Sequence, residues 1–292
     1  MTVSTLEQRG AEAPLGGLLR PLLLLWLAGA SLRLTILALP PVLHAVEAEI
    51  HLRGTDIGVL TAIPSLFFAL AAIPGAILIR RFGTVPSLLA GLLVNALGAA
   101  ARGFVGGVTG LELATCVMCL GVAIMQPALP TLVRTWTPTR IGLATATYST
   151  GLMCGEVLPT LWPFAPDLPW VGGGWRAVLF EWSVPVLATA VMIALLQPSV
   201  RPGASARTTR RWPGWRHGSI WKVGILLGSV NACYFGLNGF LPGWLAQSGG
   251  AAMIRPALNA LNMAQVPASL LLMAVLDRIV FRQDKIRIIW FY

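Results

Sequence analysis

The sequence contains eight apolar stretches, each long enough to cross a lipid bilayer as a helix. A spanning helix needs about 20 mostly apolar residues, because the hydrocarbon core is about 30 Å thick and a helix rises about 1.5 Å per residue. Only 11% of the 292 residues are charged, against about 25% in soluble domains, so we predict an all-α integral membrane protein. The predicted spans are residues 22–46, 57–79, 86–105, 110–133, 141–162, 177–197, 221–246 and 256–276.

Lysine and arginine fall mainly in alternate connections between these spans. With the N-terminus in the cytoplasm, 16 of the 21 basic residues lie on the cytoplasmic side and Arg33 lies inside the membrane. The other four fall outside, namely Arg53, Arg102, Arg176 and Arg255. This bias predicts a multi-pass protein of the cell membrane with a cytoplasmic N-terminus. It also accounts for the net charge of +10 without nucleic-acid binding.

The longest connection, residues 198–220, is rich in proline, glycine and arginine and has no apolar periodicity. It separates six predicted spans from two, which is an organisation typical of transporters built from two halves. We therefore predict four segments. These are a cytoplasmic tail (1–21), a six-helix bundle (22–197), a basic cytoplasmic linker (198–220) and a partial second bundle (221–292).

The connection after the second span, GAILIRRFGTVPSLL, resembles the signature G-x-L-x-D-R-x-G-R-R of the major facilitator superfamily. Gly75, Arg80 and Gly83 match that signature, although its acid is absent here. After the eighth span, Asp277 and Arg278 are similar to a second copy of it. In the family this loop braces the two halves in one state, so the resemblance implies a conformational role for these five residues.

Further stretches resemble the cyanate and nitroimidazole permease branch of that superfamily. They include SLRL around Arg33, GVAIMQPALP around Gln126, TYSTG around Tyr148 and the Trp175-Arg176 pair that opens the sixth span. The resemblance implies twelve helices arranged as two six-helix halves, and it implies no cofactor. Because only eight spans are found, the expectation is a C-terminally truncated facilitator.

Arg33 is the charged residue placed deepest in a predicted span. Counted from Pro21 at 1.5 Å per residue, it lies roughly 18 Å into a hydrocarbon core about 30 Å thick, too deep to reach an interface easily. One interpretation is a cavity residue that binds an anion through its planar guanidinium. The other is a structural pair with Glu156 or Glu181. Glu156, in the fifth span, is equally a candidate proton site or ion-pair partner.

Several neutral polar side chains also fall within spans, where they either bond helices together or line a cavity. We select Gln126, Tyr148, Asn231 and Asn262 as candidate substrate ligands, because they lie on stretches that resemble the family. Asn95 is expected to bond neighbouring helices instead.

The leading hypothesis is secondary transport of a small anion, such as cyanate or a related organic compound, by alternating access. A drug-like efflux facilitator and a non-transporting truncated remnant remain alternatives. An enzyme is not expected, because no histidine or lysine lies at the centre of a span. The cysteines, including a C-x-x-C inside the fourth span, are expected to be packing residues and not metal ligands. The expected partners are the bilayer and a small-molecule substrate, and the expected state is a monomer.

Reporter fusions test this topology. A reporter joined at residue 210 should be active in the cytoplasm, and reporters joined at residues 50 and 170 should be active outside. An external signal at residue 210 would overturn the predicted orientation.

Overall fold

The computed structural model describes residues 15–161, 174–198, 218–265 and 267, and within these ranges the regular structure is helical. Two short 3₁₀ helices, Pro40–Val42 and Ala251–Met253, interrupt the longer elements. The α-helices are α1 (Leu15–Leu34), α2 (Leu43–Ile50), α3 (Gly54–Phe82), α4 (Thr84–Ala101), α5 (Val108–Trp136), α6 (Ile141–Leu161), α7 (Gly174–Glu181), α8 (Ser183–Leu196), α9 (Gly218–Gln247) and α10 (Ile254–Met263).

Some of the described helices are long and apolar enough to cross a membrane. Within the described ranges, four helical segments are long and apolar enough to cross a bilayer, and a fifth qualifies if the bent α3 is one span. The two arms of α3 meet at 53° just before Pro74, whose ring removes a backbone donor from the helix. The number of eight spans therefore stays a prediction. Most of the linker, the C-terminal part of the last predicted span, and Asp277 and Arg278 lie outside the described residues.

The first predicted span is not one continuous helix. Helix α1 ends at Leu34, a turn follows, and the chain becomes helical again at Pro40. Pro40 and Pro41 lack backbone N–H groups, so the carbonyls of Ile36 and Leu37 find no donor four residues further on, which favours a break at this point. The break leaves carbonyl groups at the end of α1 without partners in their own helix.

Glycines bring α1 and α6 together until their backbones touch. A Cβ atom added to Gly151 would lie 2.2 Å from the Trp26 carbonyl oxygen, and one added to Gly155 would lie 2.3 Å from that of Ala30. From the other helix, Gly29 meets the Tyr148 carbonyl oxygen in the same way. Small residues four apart allow this approach, which replaces the hydrophobic effect as a source of helix association inside a bilayer. Helices α4 and α5 pack closely by the same means at Gly91, Gly98 and Gly121.

Buried polar groups bond α1 to α4. The Thr35 hydroxyl donates to the Asn95 side-chain oxygen at 2.9 Å, and the Asn95 amide donates to the Ser31 carbonyl at 3.0 Å. Asn95 is fully buried, so both ends of its amide find partners away from water. This is the interhelical role expected of Asn95 from the sequence.

A polar contact joins α2 to α7 at the end of the bundle opposite Gly83. The indole of Trp175 donates to Glu49 at 2.6 Å, and Arg176 forms an ion pair with the same carboxylate. Arg176 also donates to the Val105 carbonyl. The hydrogen bonds that Glu49 accepts from Arg176 and Trp175 hold its pKa below the usual range, because they stabilise the charged carboxylate. The contact therefore weakens as pH falls through the lowered pKa and Glu49 becomes protonated.

Adding one methyl group to α6 tests the close packing. We expect Gly155→Ala to destabilise the bundle by roughly 1 to 3 kcal/mol, because α1 must move away. Gly142→Ala is the matched control on the same helix, where an added Cβ meets nothing within 4 Å. It should be neutral or gain roughly 0.5 kcal/mol from helix propensity. Thermal unfolding in detergent measures the stability of both variants. Equal melting temperatures for Gly155→Ala and Gly142→Ala would contradict the close packing of α1 and α6.

Candidate functional site

The close contact of α1 with α6 brings two buried charges together. Glu156 follows Gly155 directly, and Arg33 lies three residues after Ala30, which Gly155 touches. The Arg33 Nε atom lies 3.5 Å from Glu156 Oε1, and the side chains are 14% and 7% exposed. Of the two acids considered from the sequence, Glu156 is thus the one that pairs with Arg33.

Two aromatic rings, which contact each other with their centres 5.9 Å apart, lie beside the Arg33 guanidinium. Its central carbon lies 5.6 Å from the ring centre of Phe68, on α3, and 5.2 Å from that of Phe235, on α9. Both distances fall within the range of cation–π attraction. The Nη1 atom is buried and has no hydrogen-bond partner among the described residues. Arg33 therefore keeps one unused hydrogen-bond donor, Nη1, in a buried position near two aromatic rings.

Glu156 also connects the first six predicted spans to α9 and α10. Its second carboxylate oxygen accepts a hydrogen bond from the Gln265 amide at 2.9 Å. The Asn262 amide donates to the Glu156 backbone carbonyl at 3.4 Å and to the Asn238 side-chain oxygen at 3.5 Å. The Tyr234 hydroxyl completes the set by donating to the Asn262 side-chain oxygen at 2.8 Å. We call these five residues and Arg33 the central cluster.

The residues selected from the sequence fall into two groups. Arg33, Glu156 and Asn262 meet in the central cluster. Tyr148 is half-buried on α6 beside the α1 interface, and Asn231 is half-buried on α9, one turn before Tyr234. Gln126 is exposed on α5. A substrate-binding role for any of them stays a prediction.

Sequence reasoning did not select several members of this site. Asn238 and Gln265 are neutral polar residues within predicted spans, yet they are not among the ligands selected from the sequence, and neither are Phe68, Tyr234 and Phe235. Helical spacing held a signal, because Tyr234 with Asn238, and Asn262 with Gln265, are three or four residues apart and so share a helix face. Aromatic residues in an apolar span carry no comparable signal.

The loop that resembles the family signature lies between α3 and α4. Gly83 joins these helices with a φ of +93°, which residues with side chains rarely adopt. Gly75 is buried, and an added Cβ would lie 3.0 Å from the Pro127 ring. Arg80 is exposed on the last turn of α3. The geometry supports the two glycine matches, and the conformational role of the loop stays a prediction.

The part of the chain that the structure describes contains no cluster of metal-ligating side chains. No group of three or more His, Cys, Asp or Glu side chains there could hold a metal ion. In the C-x-x-C of α5, Cys116 is half-buried and Cys119 is buried.

Comparisons with known proteins agree on one family. The model of the Major Facilitator Superfamily matches residues 22–292. The chain is 28% identical over 221 residues to the 2-nitroimidazole transporter of Escherichia coli (strain K12), covering 75% of this chain and 56% of that protein. It is 25% identical over 262 residues to the cyanate transport protein CynX of the same organism, covering 88% of this chain and 66% of that protein. The chain thus spans less than two thirds of the length of these relatives.

Solved structures agree on the fold. A bacterial homolog of the human lysosomal transporter Spinster, in an inward-facing and unoccupied conformation, matches with a TM-score of 0.69 at 17% identity. The match covers 88% of this chain and 63% of that chain. At this level of identity the likeness concerns the fold alone.

Asn262 offers a test of the connection between α6 and the α9–α10 pair. We expect Asn262→Leu to destabilise the protein by roughly 1 to 2 kcal/mol, because it removes the hydrogen bonds that the buried Asn262 makes with Tyr234, Asn238 and the Glu156 carbonyl. Asn259→Leu is the control on the same helix, since the Asn259 side-chain oxygen is buried without a partner among the described residues. That change should be neutral or stabilising. If Asn262→Leu melts at the temperature of the unchanged protein, the cluster does not join these helices.

Proposed function

Because the chain belongs to the major facilitator superfamily, we propose that it transports a small anion across the cell membrane by alternating access. The proposed orientation keeps the N-terminus in the cytoplasm, and the segments are those predicted from the sequence. The observation that carries the proposal is Arg33, a membrane-embedded guanidinium with an unused Nη1 donor, paired with a carboxylate and packed beside two aromatic rings.

The chemistry of guanidinium favours an anionic ligand. Its planar set of donors matches carboxylate-like groups through paired hydrogen bonds. Such bonds are stronger in a site with little water, and the Arg33 side chain, which lies beside the Phe68 and Phe235 rings, is only 14% exposed. The names of the relatives agree in scale, since 2-nitroimidazole and cyanate are small molecules. We propose a ligand of this size, such as cyanate or a related organic anion.

Glu156 acts in this proposal as the resident counter-ion. A buried charge without a partner is costly, so Arg33 needs Glu156 while no ligand is bound. A bound anion takes the place of the carboxylate at Arg33, and Glu156 either takes up a proton or relies on Gln265, which already donates to it. Ligand binding and the charge state of Glu156 are therefore coupled.

The central cluster links this exchange to alternating access. Glu156 holds Gln265 through its side chain and Asn262 through its backbone, so its position affects how α10 packs against α6. A ligand changes the equilibrium between two states only if it binds them with different affinity. Displacement of Glu156 by the ligand changes the packing of α10 against α6, and the ligand therefore binds the two states with different affinity.

Efflux of an uncharged or cationic compound is the second candidate. It is favoured by the burial of Glu156 and by its hydrogen bond from Gln265, a pair that could hold a cation or a polar drug-like ligand. In that case recognition belongs to Glu156, and Arg33 only neutralises it.

Cyanate binding by variants of Arg33 separates the two candidates. We expect Arg33→Gln to weaken cyanate binding about tenfold to a hundredfold, because each charge-assisted hydrogen bond contributes about 1.5 to 3 kcal/mol. Arg33→Lys should also lose most of the binding, because a point charge does not reproduce the planar fork. Calorimetry on the purified protein measures both. Unchanged cyanate affinity in Arg33→Gln, with binding of neutral 2-nitroimidazole lost in Glu156→Gln, would favour efflux instead.

A stability control accompanies this experiment, because Arg33→Gln leaves Glu156 without its ion-pair partner. The doubly neutral protein, Arg33→Gln with Glu156→Gln, should recover much of the melting temperature that either single variant loses. Cyanate binding should remain weakened in that double variant although it is folded.

A further inference from the structure

A second arginine, Arg102, is buried away from the central cluster. It follows the last residue of α4 and is only 1% exposed. By volume it is the largest fully buried side chain in the described part of the chain. The sequence had placed it in an external connection, since it falls near the end of a predicted span. The break in the first span explains the difference. It exposes the end of α1 to Arg102, which turns inward and donates to the Thr35 carbonyl at 2.8 Å.

The bonds made by Arg102 leave its charge largely uncompensated. Its Nη1 atom donates to the Thr35 carbonyl and to the Met118 sulfur, at 2.8 and 3.0 Å. Its Nε atom is buried and has no partner, and no carboxylate lies within 4 Å of Arg102 among the described residues. The end of α1 contributes only about half a negative charge. Arginine remains protonated in proteins, so the site cannot become neutral by losing a proton.

A small cavity lies beside this guanidinium. Its water-accessible volume is about 30 Å³, and Arg102 is part of its wall. Thr61, Thr115 and Asn238 are the other polar residues of the wall. The rest of the lining is mainly apolar, with Leu60 among it. About 10 to 15 Å³ on this measure holds one water molecule, so the space suits one or two water-sized particles.

We propose that this cavity binds a small monovalent anion of halide size, held by Arg102. A buried positive charge without an acidic partner beside a cavity requires a counter-charge, and an ion in the cavity can supply what no described side chain provides. The Thr61 and Thr115 hydroxyls now donate to carbonyls in their own helices, and rotation would turn them towards the ion. The mostly apolar wall favours a weakly hydrated ion, and the volume excludes sulfate or phosphate with their hydration shells.

The proposed site is independent of the function proposed for Arg33. The two sites have neighbours in common, because Phe235 and Asn238 line the cavity and also belong to the surroundings of Arg33. Each nevertheless has its own arginine, so loss of one anion site leaves the other intact. Variants can therefore separate them.

Halide-dependent stability tests the proposal. For the purified protein, replacing sodium gluconate by sodium chloride or bromide at constant ionic strength should raise the melting temperature saturably. The expected rise is roughly 3 to 5 °C at ten times the dissociation constant. Arg102→Met keeps the length of the side chain and removes the charge, so its melting temperature should be the same in both salts. The doubly neutral Arg33→Gln, Glu156→Gln protein should respond to halide as the unchanged protein does.

Bromide also gives a direct readout that needs no variant. Crystals of the unchanged protein grown in bromide should show an anomalous peak in the cavity next to Arg102. Absence of that peak would overturn the proposal even if Arg102→Met failed to fold. A melting temperature that does not depend on halide, or a response retained in Arg102→Met, would overturn it as well.

Discussion

The ion pair of Arg33 with Glu156 is the interaction on which the rest of this structure depends. It lies between two helices whose backbones touch, and it forms because Gly151 and Gly155 let α6 approach α1. Two charges removed from water are costly unless they are paired and hydrogen-bonded. The close packing therefore holds the two charges at a fixed distance. A change in the spacing of α1 and α6 would separate them and so cost free energy.

From this pair the polar contacts spread to the helices that follow the linker. Gln265 and Asn262 reach Glu156, whereas Phe235 covers Arg33. Chain segments far apart in sequence thus meet at one pair of charges. That arrangement suits a protein of the major facilitator superfamily, because a ligand that competes for Arg33 would alter the contacts between its two parts. The buried Arg102 adds a second positive charge at the end of α1, with a cavity beside it instead of an acid.

Much of the fold could be predicted from the sequence, whereas the partners within the site could not. Apolar length and the resemblance of residues around Gly75 and Gly83 identified an all-helical facilitator, because both are local properties of the chain. Arg33 and Glu156 were visible as charges in apolar spans, but their pairing depends on how α1 meets α6. Arg102 illustrates the limit most clearly. Its position near the end of a span indicated the surface, and only the break caused by Pro40 and Pro41 gives its side chain a reason to turn inward.

The central claim is that an anion competes with Glu156 for Arg33, and the cyanate affinity of Glu156→Gln tests it most directly. Glutamine keeps the shape of the side chain and removes the competing charge, while Arg33 retains its position beside the Phe68 and Phe235 rings. The account predicts that cyanate binds about tenfold more tightly to Glu156→Gln than to the unchanged protein, which corresponds to the loss of one charge-assisted competitor of about 1.4 kcal/mol. Equal or weaker binding would contradict it.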